Sequence, residues 1–317
     1  MTDRFDDYSN ANVFVDYEFD RHAHQRSNPK WLERTLKKSD TRFIVIWRHR
    51  CAVTSRSLQF ARADELQPAD LGSPVFLGMH NQAAVFAIDL GAARAVPTAY
   101  QGWDFQGLRS IGTHLCASEA ALAAFALAMV LWIRRHRFCG LCGTATTTAA
   151  AGHVLHCSNP ECGERSFPRS DPAIIVLATD NERVLLGRQA SWPEGRYSTI
   201  AGFVEPGESL EAAVRREVAE ETGHLVSAVE YVSSQPWPFP SSLMLGFTAQ
   251  VSGTAQHPTD EELEDVRWFT LDQIVTRTLN GPALLPPPMS IAYRLIERWF
   301  DQLYDEPLAQ IIARRRG

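Results

Sequence analysis

A layered α/β fold in more than one domain is what this sequence predicts, and three observations carry that expectation. Short apolar runs of strand length alternate with helical stretches, the pattern that sets helices against sheets. At 317 residues the chain exceeds what one small core fills. Hydrophobic residues make up 45% and charged residues 21%, a globular composition that argues against wholesale disorder. The 31 Lys and Arg against 37 Asp and Glu leave a formal charge of −6, the reverse of what a protein coating duplex nucleic acid carries.

Met1–Asn10 is acidic and polar, without the zones of a signal or transit peptide, and the chain reads as polar and irregular up to about Asp40. Phe43–Trp47, Val75–Leu77 and Ala84–Ile88 then read as strands, with His80-Asn81-Gln82 as a hairpin turn. Ala120–Ile133 reads as a buried helix, too short to cross a bilayer, with Ser118 as N-cap and Arg134–Arg137 complementing its carboxyl end. After a cysteine-bearing insert, strands are expected at Ala173–Ala178, Val184–Leu186, Tyr197–Ile200, Val226–Val232, Leu243–Val251 and Val266–Phe269. Helices are expected at about Ser209–Thr222 and Ser290–Tyr304.

The insert carries Cys139 and Cys142 as a CxxC knuckle, with Gly140 and Gly143 for its turns, and Cys157 and Cys162 as a wider second pair. Four thiolates in two close pairs suit a closed tetrahedral zinc site, which staples a fold and performs no chemistry. Cys51 and Cys116 stand alone and read as small buried residues. Six cysteines without an export signal point to a reducing compartment and a cytoplasmic location.

The informative segment is Gly202-Phe203-Val204-Glu205-Pro206-Gly207-Glu208, followed by Arg215-Arg216-Glu217-Val218-Ala219-Glu220-Glu221-Thr222-Gly223. On a helix Glu217, Glu220 and Glu221 stand at i, i+3 and i+4 and share one face. Glu217 and Glu221 fall on the side of Leu210 and Val214, where an ordinary amphipathic helix keeps carboxylates away. Carboxylates crowded at a buried edge repel unless cations join them, and oxygen-only donors suit Mg²⁺ or Mn²⁺ and hence phosphate substrates.

These residues resemble the Nudix box, G-x5-E-x7-R-E-U-x-E-E-x-G-U, with Gly202, Glu208, Arg216, Glu217, Val218, Glu220, Glu221 and Gly223 in register and His224 where an apolar residue is usual. The resemblance implies a Nudix α/β/α sandwich and cleavage of a diphosphate joined to another moiety. It assigns Glu217, Glu220 and Glu221 to the metal, adds the Ala201 carbonyl as a ligand, and makes Arg216 the orienter of the glutamates.

Downstream stands Gln235-Pro236-Trp237-Pro238-Phe239-Pro240-Ser241-Ser242. Prolines fix φ around two aromatics, so the rings need little ordering before a flat heterocycle stacks on them, and Gln235, Ser241 and Ser242 offer hydrogen bonds. With a four-cysteine ribbon just before the box, this loop looks like the NADH pyrophosphatase branch of the Nudix family. That branch splits NAD(H) into nicotinamide mononucleotide and AMP, and members remove NAD caps from RNA. The resemblance implies that Gln235–Ser242 lines the nicotinamide nucleotide pocket, Phe203 stacks in it and Ala292 closes it. Glu262 matches an additional acidic residue, a metal or water-positioning group. Arg109 would approach the substrate, and Phe167 stands where relatives carry Tyr. Two further departures are the wide Cys157–Cys162 gap and Gly152 in place of a substrate-contacting Glu.

The organisation expected is an N-terminal α+β domain over residues 1–137, a zinc ribbon over 138–167 and a Nudix hydrolase domain over 168–317. The expected cofactors are one structural Zn²⁺ and catalytic Mg²⁺ or Mn²⁺. The expected partners are NAD(H), the 5′ end of NAD-capped RNA and a second copy of the chain, with no membrane. Two rivals remain: a Nudix hydrolase of ADP-ribose or a diadenosine polyphosphate, and a non-catalytic zinc-ribbon protein that binds nucleic acid.

Overall fold

The computed structural model describes residues 12–16, 19–66, 73–91, 95–180, 182–252, 262–281 and 284–316; Met1–Asn10, read above as acidic and polar, lies outside them. The chain forms two compact units, one of Phe14–Ser170 with Pro236–Ser242, the other of residues 12–13, 171–235 and 243–316. The ribbon thus shares a unit with the sheet that precedes it.

The first unit opens with α1 (Pro29–Leu36), where the sequence read as irregular. Asn28 caps it by accepting from the Trp31 N–H at 3.1 Å, and Pro29 takes the first helical position, where its fixed φ fits. The sheet is built from β1 (Arg42–Trp47), β2 (Arg50–Thr54), β3 (Ser57–Leu58), β4 (Phe60–Arg62), β5 (Val75–His80), β6 (Ala83–Asp89) and β7 (Asp104–Gly107). Its path is β3-β2-β1-β6-β5, with β4 also on β1 and β7 also on β2, and β1 runs parallel to β6. Asn81 and Gln82 join β5 to β6 at φ 49° and 62°, the condition of a two-residue type I′ turn.

Strand β1 is apolar on both faces because both are covered. Phe43 and Val45 join a core with Phe76, Phe86 and Tyr100, against which Trp31, Leu32 and Leu36 of α1 pack. After α2 (Leu108–Ile111) comes α3 (Ala117–Arg135), which lies against β1, β5 and β6. The helix is longer than its most apolar run suggested and passes for a membrane span by length and hydropathy, although ten of its residues are buried within this unit. It begins at Ala117 with Cys116 at the cap, so Ser118 is inside it; the Ser118 hydroxyl instead meets His80 Nε2 at 3.2 Å.

The ribbon has three antiparallel strands, β8 (Thr146–Ala149), β9 (Val154–Cys157) and β10 (Arg165–Ser166), in the order β10-β9-β8. Its knuckles turn at Gly143 and Gly163, at φ 74° and 63°; Gly140 is not at positive φ, contrary to its expected part in the turn.

The second unit is an α/β/α sandwich. Its strands are β11 (Asp171–Thr179), β12 (Arg183–Arg188), β13 (Ile200–Phe203), β14 (Leu225–Trp237), β15 (Ser242–Ser252) and β16 (Asp265–Thr270), in the order β14-β15-β11-β12-β16 with β13 also on β11. Alternation along β11 divides the core. Ile174 and Val176 face Ala213, Val214 and Val218 of α4 (Leu210–Thr222). Ile175 and Leu177 face α5 (Leu271–Asn280), α6 (Ile291–Leu303) and α7 (Leu308–Arg316) through Ile274, Ile296, Phe300 and Ile311. The strand expected at Tyr197–Ile200 starts instead at Ile200: Tyr197 is buried in the core with its hydroxyl on Asp265, and Ser198 makes one isolated bridge to Gly187.

Candidate active site and zinc ribbon

Helix α4 is held at both ends by its own sequence. Ser209 caps the start by accepting from the Ala212 N–H at 3.2 Å, and Gly223 ends the helix at φ 70° with its N–H on the Ala219 carbonyl. Between these ends Glu217 and Glu221 are buried, 9% and 4% exposed, as the i, i+4 pattern on the Val214 side foretold. Glu220 is the more exposed carboxylate of the face. His224 is buried and meets Trp268 edge to face at 5.5 Å, so an aromatic fills the position of the usual apolar residue.

Arg216 joins the carboxylates. Its Nε and Nη2 donate to the two oxygens of Glu208, both at 2.9 Å. Its Nη1 donates to Glu217 at 2.8 Å and Glu220 at 3.0 Å, and Nη2 also reaches the Phe203 carbonyl at 2.9 Å. The planar fork of arginine suits this many-armed geometry, which a lysine point charge would not reproduce. Glu208 is fixed from behind by the Glu205 N–H at 3.1 Å, across a turn that places Gly207 at φ 89°. Beside Arg216 the Glu208 carboxyl is held below its ordinary range.

Strand β13 explains why glycine precedes Phe203. A Cβ on Gly202 would lie 1.9 Å from Glu217 Oε1 and 2.0 Å from its Cδ, so the carboxylate occupies the space a side chain would need. Burial pushes the Glu217 carboxyl up, Arg216 pulls it down, and the charges of Glu220 and Glu262 push it up again. Glu262 therefore acts on the same carboxylate, and Gln189 holds it by donating at 3.0 Å. Sequence reasoning overlooked Gln189, since nothing local links it to a residue 73 positions away. Ala201 sits on β13 opposite Ile175, one residue before the cradle, and Phe203 is 61% exposed. Oxygen donors crowded at a desolvated edge fit a hard divalent cation.

Two residues expected at a ligand face inward. Gln235 is 0% exposed; its amide donates to the Val13 carbonyl at 3.0 Å and the Met289 carbonyl at 2.8 Å and accepts from the Ile291 N–H at 2.8 Å. Both its donors are used, so it ties β14 to the start of α6 instead of offering an amide to a polar edge. Ala292 is buried in the α6 core.

The rest of the proline loop belongs to the first unit. Trp237 and Phe239 stand edge to face at 5.0 Å, and both rings meet Phe14. The Arg109 guanidinium lies over both, 5.1 Å from the Trp237 centroid and 4.2 Å from that of Phe239. Pro238 is buried; Trp237, Phe239, Pro240, Ser241 and Ser242 are half-buried, and Pro236 is exposed. Phe167 is 53% exposed, with Arg165 over its ring.

The ligand atoms of Cys139, Cys142, Cys157 and Cys162 all lie within 4.8 Å of one another. Cys139 and Cys162 are 3.8 Å apart at sulfur, and Cys142 and Cys157 are 3.3 Å apart. A tetrahedron with Zn–S near 2.3 Å needs sulfurs about 3.8 Å apart, so the donor set fits zinc. Cys51 is fully buried as expected, whereas Cys116 is exposed.

A protein of Stutzerimonas stutzeri (strain A1501) named NAD-capped RNA hydrolase NudC is 40% identical over 236 residues, 74% of this chain and 77% of its own length. The chain belongs to the Nudix hydrolase family. The NUDIX domain family matches residues 169–287, the NADH pyrophosphatase-like rudimentary NUDIX domain 40–132, and the NADH pyrophosphatase zinc ribbon domain 134–167. The four cysteines therefore form the zinc site of a known ribbon. A Schizosaccharomyces pombe protein named NAD-capped RNA hydrolase is 41% identical over 68% of this chain and 65% of its own length. The human NAD-capped RNA hydrolase NUDT12 is 41% identical over 57% of this chain, which spans 42% of that protein.

Proposed function

We propose that this Nudix hydrolase cleaves the pyrophosphate of NAD(H) to nicotinamide mononucleotide and AMP, and removes NAD caps from RNA. The observation that carries the reading is the Glu217 carboxylate, buried against Gly202 and held by Arg216 beside Glu220 and Glu262. The names of the relatives support the substrate.

In this reading Glu217, Glu220 and Glu221, with Glu262 and the Ala201 carbonyl, hold Mg²⁺ or Mn²⁺. When bound, the ion supplies charge for the diphosphate oxygens and the attacking water. Arg216 keeps three carboxylates in one geometry before substrate arrives, so little reorganisation remains for the reaction itself. Glu262, fixed by Gln189, positions the water. Trp237 and Phe239 present faces for the nicotinamide nucleotide, and Arg109 places a cation beside these loop rings; Phe203, on the other unit, presents an exposed ring of its own. Phe167 adds a ring without a hydroxyl. The loop prolines hold the backbone that carries the Trp237 and Phe239 rings, and Ser241 and Ser242 offer hydroxyls beside them. The same reading places the enzyme in the cytoplasm as a homodimer that does not engage a membrane.

Purified protein assayed with NADH, NAD⁺, NAD-capped RNA, ADP-ribose and diadenosine polyphosphate, in Mg²⁺ and then Mn²⁺, tests it. NADH or the capped RNA should give the highest kcat/KM, with nicotinamide mononucleotide as a product. A preference for ADP-ribose or the polyphosphate would replace the substrate. Metal-independent inertness toward all five would leave the zinc-ribbon binding protein as the better account.

A further inference from the structure

The three residues Asn12, Val13 and Phe14 converge on the segment that carries the loop rings. Asn12 is 3% exposed, and its Nδ2 donates to the Ser233 hydroxyl at 3.0 Å and the Ser234 carbonyl at 2.9 Å. The Val13 carbonyl takes the Gln235 amide at 3.0 Å. Three successive residues before Pro236 are thus tied to two successive residues of the N-terminal segment. Phe14 continues the pattern past the proline: its ring lies 6.4 Å from Trp237 and 6.2 Å from Phe239, the latter edge to face.

Phe14 is 3% exposed and sits at φ 74°. That left-handed conformation is unfavourable for an aromatic residue and persists only where surroundings over-determine it. The surroundings are visible. Behind the ring stands Gly112, where a Cβ would come within 2.8 Å of Phe14 Cε1 and 2.9 Å of Cζ. In front stand Trp237 and Phe239, with Arg109 over both. Prolines at 236, 238 and 240 remove three backbone donors from the loop, so its shape depends on what packs against its side chains.

We infer that Asn12–Phe14 is a latch that sets the shape of the Trp237–Phe239 loop, with Asn12 and Phe14 acting as positioning residues for the ring-bearing end of the substrate. The substrate part of this inference rests on the function proposed above; the latch itself does not. The contacts of Asn12 run to Ser233 and Ser234 and those of Phe14 to Trp237, Phe239 and Gly112, so the latch acts on ring recognition and not on the diphosphate chemistry.

The test uses the full-length protein with Phe14→Ala, Asn12→Ala, Gly112→Ala and the double variant Gly112→Ala/Phe14→Leu. Gly112→Ala pushes the ring from behind without altering the latch or the loop, and leucine lacks the Cε1 and Cζ atoms it would strike. Amide hydrogen exchange is read for residues 234–243 and 210–222, beside kcat and KM for NADH. Each single variant should speed exchange in 234–243 and leave 210–222 protected. KM for NADH should rise roughly tenfold, within the range of one lost ring contact, while kcat stays within about twofold. The double variant should recover part of the loss shown by Gly112→Ala. Unchanged exchange in 234–243, or a fall in kcat with KM unmoved, overturns the latch. Wild-type protein that ignores NADH defeats the proposed function, and the exchange measurement still decides the latch.

Discussion

Gly202→Ala tests whether the position of one carboxylate governs this site. The new methyl would start 1.9 Å from Glu217 Oε1 and 2.0 Å from Cδ. Ordinary contact begins near 3.4 Å, so one partner must retreat by about 1.5 Å. Strand β13 is paired to β11 through Ile174 opposite Gly202, which leaves the side chain of Glu217 to move. Moving it breaks the 2.8 Å bond to Arg216 and leaves a buried carboxylate short of its partner, a cost of about 1–3 kcal/mol. A misplacement of about 1 Å in a positioned group costs on the order of 10²-fold in rate. We expect kcat/KM to fall at least about 10²-fold, the Mg²⁺ titration midpoint to rise and the melting temperature to drop. With Glu217→Ala already in place the clash is gone, so adding Gly202→Ala should then change stability little. Near-native turnover and an unmoved metal titration in Gly202→Ala would refute the reasoning, because the cradle would then be dispensable.

Glu221→Gln removes a charge from a buried position with almost no change in shape and should lower kcat by roughly 10²-fold while the fold persists, as measured by steady-state kinetics beside circular dichroism. Cys139→Ser should lose zinc and lower the melting temperature while Mg²⁺ binding to the glutamates persists; stoichiometric zinc by mass spectrometry with an unmoved melting curve would contradict the ribbon account. His153 is buried with Nε2 on the Phe76 carbonyl at 2.7 Å, and burial pushes its pKa down to about 4 from 6.5. The folded state refuses a proton the unfolded chain accepts, so stability is full above about pH 6.5 and is lost as pH falls toward 4, by about 2 kcal/mol at pH 5. His153→Gln should flatten that slope in urea unfolding between pH 7 and 5.

What the sequence reveals of the fold depends on whether a signal is local. The capped, periodic α4 stands where its residues place it, because Ser209, the apolar stripe and Gly223 lie within one helix. The Asn28-Pro29 pair carried an equally local start signal for α1, and the surrounding polar residues masked it. The Tyr197–Ile200 strand failed for another reason. Its β-forming residues dock a side chain into the core, while the strand itself runs through Ala201 and Gly202, poor strand formers by propensity. Glycine stands there because Glu217 needs the space, so a demand of the site overrides a local preference.

The same distinction separates the parts of the site. The acidic face follows from i, i+3 and i+4 spacing, and Arg216 is one residue from Glu217 and four from Glu220. Gln235 shows where such reasoning ends. An amide beside aromatics and prolines looks like a ligand contact, yet its partners Val13 and Met289 lie 222 and 54 residues away and consume both its donors. A motif states which residue types must coexist; it does not say which of them face outward. In this loop the apparent polar reader serves as the anchor, and the rings it carries are shaped by Phe14, for which no motif speaks. The loop rings are thus packed against a residue near the far end of the chain, whereas the acidic helix face, its arginine and the glycine that makes room for Glu217 are contained in about twenty consecutive residues, from Gly202 to Gly223.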